Sequence, residues 1–180
     1  MSTPAAAPVP LIQQIEDGLL AQLTAAFTSP GETRPWLKVE SWPTRSEAYR
    51  LTGAGDVFVI YKGRRFNSED TSSAHYDAPM EYEITLRART LRDQRAAYAM
   101  VDTAYNAVCG RRLAGSSGVT LALRDEFVDY AEGVFAYALV VAVPVLVLQA
   151  TDDAPGPWLE AGNAALGVPI SAPAFNYSGG

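Results

Sequence analysis

The residues able to do chemistry are few, and they are scattered. His75 is the only histidine of the 180 residues, and Ser72, Ser73 and Asp77 lie beside it in the sequence. A hydrolytic triad needs a base held against a nucleophile by rigid elements. These residues instead fall in a polar stretch, 62–79, that reads as a long loop with no strand-to-helix elbow. Cys109 is the only cysteine. Without a second thiol it forms neither an internal disulfide nor a CxxC metal site, so it reads as a small core residue at the end of a helix. Gly53-Ala54-Gly55 precedes a strand and has Phe58, not a third glycine, three residues on, so it fails as a dinucleotide loop. The carboxylate pairs Glu81/Glu83, Asp125/Glu126 and Asp152/Asp153 show no apolar pocket to raise one pKa, as a general acid requires. The expectation is no catalytic residue, no metal ligand and no cofactor, hence no enzyme. A small hydrolase or ligand-binding domain using the His75 segment is the competing class.

The elements that would position these residues are easier to read. Hydrophobic residues make up 48% of the chain, enough for a sizeable core, and the formal net charge is −6. That sign argues against a protein that grips nucleic acid, which carries a basic stripe. The leader 1–10 has neither the basic nor the apolar region of a secretion signal. The apolar run Phe135–Leu148 falls short of the ~20 residues that cross a bilayer. No membrane partner is expected, and the site of synthesis reads as the cytoplasm of the cell that makes the chain.

Leu11, Ile12, Ile15, Leu19, Leu20, Leu23 and Phe27 recur at helical spacing and end at Ser29-Pro30-Gly31. Trp36–Trp42 reads as a short strand, and Thr44 with Glu47 as the capping box of a short helix to Leu51. Val57–Tyr61 reads as a central strand, apolar on both faces. Met80, Tyr82, Ile84, Leu86 and Ala88 alternate with Glu81, Glu83, Thr85, Arg87 and Arg89, so one face is buried and one is polar. Asp93 is the candidate N-cap of a second helix that ends at Gly110. Val119–Arg124 and Phe135–Val143 read as a hairpin turning within Asp129–Gly133. The expected fold class is α+β, an antiparallel or mixed sheet of four to five strands with two main helices on one face. The expected division is a flexible leader 1–10, a domain 11–148 and an extended arm 149–180.

In this layout the chain resembles the Mu-like phage tail completion proteins, which correspond to tail terminators. The features that carry the resemblance begin with the first helix and the Val57–Tyr61 strand leading into Lys62-Gly63. They continue through the strand Glu81–Leu86, then Arg89 to Arg92, the helix with Tyr98, Val101 and Asp102, and Val108-Cys109-Gly110. The resemblance covers about 11–148. It implies a structural virion protein that forms a ring, a hexamer in such families, at the head-proximal end of the tail. The ring stops tube polymerisation and meets the neck, and DNA passes through its lumen without specific binding. Neck or connector components and tail-tube-like proteins are the alternatives. No residue roles travel with the resemblance. From the sequence, contacts with tube protein, neck protein or further copies are expected from three regions. These are the basic loop (Arg64, Arg65, Phe66, His75, Tyr76), the polar strand face (Glu81, Glu83, Arg87, Arg89) and the aromatic arm (Trp158, Phe175, Tyr177).

Overall fold

The computed structural model describes residues 9–43, 51, 53–66 and 75–148. A compact unit, Met1–Val147, holds nearly all of them, and the remaining unit is Leu148–Gly180. The elements in chain order are α1 (Leu11–Ala26), β1 (Lys38–Ser41), β2 (Gly55–Arg64), β3 (His75–Asp77) and β4 (Met80–Ala88). Then come α2 (Ala97–Val108), β5 (Leu121–Ala131), β6 (Val134–Val143) and β7 (Leu146–Leu148). Five strands form one sheet in the order β1-β2-β4-β6-β5, and β3 pairs with β7 in a second, two-stranded sheet. Only β1 and β2 run parallel; the other pairs of the large sheet are antiparallel. The sheet is therefore mixed, and the fold is α+β with two helices, as the alternation of patterns implied.

Both helices lie on one face of the sheet, because each has a single apolar stripe to bury. Ile15, Leu19, Leu23 and Phe27 of the first stripe, and Ala97, Met100, Ala104 and Val108 of the second, join Val57, Val59, Met80, Tyr82, Ile84 and Leu86 in one core. The first helix is anchored where the Tyr82 hydroxyl donates to the Ile12 carbonyl at 2.9 Å. Burial, and then the nearby Glu16 carboxylate, push that phenol above its usual pKa. Gly55 opens β2 where space allows no side chain: a Cβ there would lie 2.8 Å from the Arg87 carbonyl oxygen.

Several boundaries differ from the sequence reading, each for a physical reason. The segment 62–79 is not one loop. β2 continues to Arg64 across a bulge between Tyr61 and Gly63, and Gly63 adopts φ 141°. The backbone of His75, Tyr76 and Asp77 is in strand β3. α2 is preceded by Ala96 with no side-chain cap, so Asp93 is not its N-cap. Instead the Asp93 carbonyl accepts from Ala96 N–H at 3.0 Å, one turn before the helix. β5 runs to Ala131, well past Arg124, so Asp125–Asp129 is strand and the turn is only Glu132-Gly133. Both turn residues have positive φ, 52° and 75°, the pairing that matches a two-residue turn to the twist of a hairpin. The apolar run Phe135–Leu148 is broken around Pro144, which cannot donate to a ladder. The helix expected over Thr44–Leu51, Ser72 and Ser73, the leader 1–8 and the arm 149–180 with Trp158, Phe175 and Tyr177 lie outside the described residues, apart from Leu51.

Candidate functional site

The face of the sheet opposite the helices is built by partner strands. Directly opposed residues of an antiparallel pair share a face. Glu81, Glu83, Thr85 and Arg87 of β4 therefore share theirs with Ala142, Val140, Ala138 and Ala136 of β6. On the other side of β4, Asp56 opposes Arg87 and Phe58 opposes Thr85. Small residues on β6 beside long polar ones on β4 leave a cleft of about 800 Å³, lined by Trp42, Glu83, Thr85, Arg87, Val128 and Asp129 among others.

The polar groups on this face serve one another. Arg87 is 7% exposed and Asp56 1%. The guanidinium donates through Nε to Oδ1 at 2.8 Å and through Nη2 to Oδ2 at 2.5 Å. This two-pronged geometry satisfies a buried carboxylate. The Arg87 guanidinium also lies 5.0 Å from the Phe58 ring centroid, and Trp42 meets Phe58 edge-on at 6.0 Å. Nearer the other end of β4, Lys62 pairs with Glu83 at 3.0 Å and Arg65 with Glu81 at 2.7 Å. Exposed pairs of this kind contribute little to stability. Arg64 reaches back to the Met80 sulfur at 4.0 Å, and Phe66 is largely exposed. Arg89 is exposed and donates to the Gly53 and Leu51 carbonyls at 3.2 and 3.4 Å. Of the residues expected to face partners, Glu81, Glu83, Arg64 and Arg65 are thus gathered at the Met80 end of β4. Arg87 is drawn into the subunit's own interior, so the polar face is not solvated along its whole length. Cys109 follows α2, half-buried, and burial raises its thiol pKa. Among the described residues, no group of three or more His, Cys, Asp or Glu is placed to hold a metal. No helix among them is long and apolar enough to cross a membrane.

The larger exposed feature was not singled out by the residue types. β5 is an edge strand, and every one of its 11 residues is exposed. Leu121, Leu123, Phe127, Val128 and Tyr130 each show between 45% and 56% of their surface. The ladder to β6 shifts register between Ala122 and Arg124 and between Phe127 and Asp129. Leu123 and Val128 are therefore the extra residues of two bulges. On the helix side of the sheet the rings continue inward. Phe127 meets Tyr137 edge-on at 5.4 Å, Tyr98 meets Tyr137 at 6.0 Å, and Tyr130 lies 4.5 Å from Phe135. The sequence signal that could have revealed this strand was the β-forming set Phe127, Val128 and Tyr130 just before a two-residue turn ending in glycine. The interspersed Asp125, Glu126 and Asp129 masked it as a loop.

Comparison with known proteins adds to this geometry. No curated protein matches the chain. Among solved structures, the fold is similar to a chain in the virion of a native gene transfer agent particle. That match has a TM-score of 0.50 and 16% sequence identity, and covers 78% of this chain and 100% of the other. At this identity the likeness is one of fold. The model of the Gp37 protein family matches residues 31–164, most of the sequence, and the chain belongs to that family.

Proposed function

We propose that the chain is a structural subunit of a phage-type virion, without enzymatic activity, and that within the virion it is the tail terminator. The observation that carries this reading is the fold shared with a chain of a gene transfer agent virion over the whole of that chain's length. Membership of the Gp37 family agrees with it. In this role copies of the chain assemble into a ring, a hexamer by the family resemblance. The ring caps the head-proximal end of the tail tube, stops its polymerisation and offers its other side to the neck. DNA passes through the lumen without being held, in keeping with a net charge of −6.

The test is particle assembly with the gene deleted. Overlong tail tubes, restored to normal length by the wild-type chain, support a terminator. Tubes of normal length that fail to join heads point to a neck component and overturn the terminator assignment. A competing hydrolase would lose turnover in a His75→Ala variant. A terminator shows no hydrolysis for that variant to lose.

A further inference from the structure

We infer that β5 is the joint between successive copies of this chain: its acidic, aromatic edge seats on the arginine-rich flank at the opposite edge of the next copy. The inference deepens the ring reading above and rests on it.

The argument starts from the two ends of the strand order. β5 closes the sheet on one side and β1 on the other. An exposed edge strand is a template for pairing, and proteins that stay monomeric blunt it with charged side chains, lysine above all, with proline or bulges, or by keeping it very short. Leu121–Ala131 contains neither lysine nor proline and is the longest strand of the sheet. Its two bulges bend the strand without removing its apolar side chains from solvent. The surface is thus one that an interface would bury.

Charge selects the occupant. Asp125, Glu126 and Asp129 lie along β5, and Glu132 follows in the turn. The one base among them, Arg124, sits 3.2 Å from Glu126. The opposite flank carries the complementary sign. Arg95 lies over Trp36 at 5.4 Å, and Trp36 leads into β1 and packs edge-on against Phe27 at 5.5 Å. Arg89 reaches Gly53, just ahead of β2. Exposed Arg34 and Arg92, with Lys38 of β1, add to it and outnumber the acids nearby, Glu32, Glu40 and Asp93, while Arg89 also lines the cleft that Asp129 and Glu132 share. Two β5 edges brought together about a twofold axis would set carboxylates against carboxylates. A β5 edge on the arginine flank of the next copy sets opposite charges together. Such a contact uses different patches on the two partners, and copies so joined close into a ring when the rotation permits.

The test uses the full chain. Its mass in solution would be followed by light scattering and native mass spectrometry over a concentration series at low and high salt. Asp125→Arg with Asp129→Arg, and separately Phe127→Asp, should each weaken assembly at least ~10-fold, as loss of interface anchors does. Adding Arg92→Glu and Arg95→Glu to the doubly reversed edge should restore assembly, which a folding defect could not do. Variants that assemble like the wild type overturn the inference. So does a wild-type chain that forms only a symmetric dimer through β5, or one that stays monomeric and binds only the tail tube protein. The two proposals fail separately. Normal tails after gene deletion, alongside charge-swap rescue of assembly, would sink the terminator role and leave the joint. Overlong tails after deletion, with β5 variants that still assemble, would do the reverse.

Discussion

At the scale of single residues, the buried Asp56–Arg87 pair is the most consequential polar contact of the fold. Without its guanidinium partner Asp56 would be a charge held away from water, so Arg87→Ala should cost about 3–5 kcal/mol in urea or thermal unfolding. Replacing both with Asp56→Leu and Arg87→Met should cost distinctly less, since no lone charge remains. A second expectation concerns Tyr82, whose phenol is held neutral by burial and by Glu16. An unfolded tyrosine titrates near pH ~10, so the unfolded chain sheds this proton before the folded one does. The stabilising contribution is complete below that pH and is lost as pH rises above it. Tyr82→Phe should flatten the fall in stability on the alkaline side. At neutral pH it should cost about 1 kcal/mol, from the lost bond to the Ile12 carbonyl. The sequence showed that Arg87 stands on the polar side of its strand. It did not show that Asp56 would stand opposite, because pairing across 31 positions is a property of sheet order.

Among the elements, those with strong periodicity were legible: both helices, β4 and β6 follow from residue spacing alone. What escaped was strand content carried by polar residues. β3 is three residues long, and in β5 Asp125, Glu126 and Asp129 interrupt Phe127, Val128 and Tyr130, which leaves no regular apolar alternation to count. Their strand state comes from the neighbours that supply a ladder. The candidate surface shared this fate, since Arg64 and Arg65 were visible as charges while Phe127 was assigned to no element and Tyr130 to the turn. The hairpin itself offers a check. Glu132 occupies a left-handed conformation, φ 52°, that asparagine tolerates better. Glu132→Asn should therefore stabilise the chain by up to about 1 kcal/mol, read as a rise in Tm. Backbone hydrogen exchange should separate the outer strand from its neighbour. In the isolated protomer the outward-facing amides of β5 should exchange far faster than those of β6, and assembly should slow them selectively.

For the whole molecule, the joint inferred above sets a surplus of acids on β5 against a surplus of bases beside β1, an asymmetry that a net charge of −6 conceals. Copies should orient one another before contact, so the rate of association should fall steeply with ionic strength, while a nonpolar joint alone would show little change. Stopped-flow light scattering measures this directly. The Asp56–Arg87 pair has one more consequence at this scale. A one-residue slip of β2 against β4 would turn the apolar row away from the helices and is excluded by that alone. A slip of two residues would keep every side chain on its proper side and satisfy the hydrophobic pattern equally well. The parting of the carboxylate from its guanidinium opposes it, as does the place of Gly55 against the Arg87 carbonyl, where no side chain fits. These two contacts help to select one alignment from a set that the apolar pattern cannot tell apart.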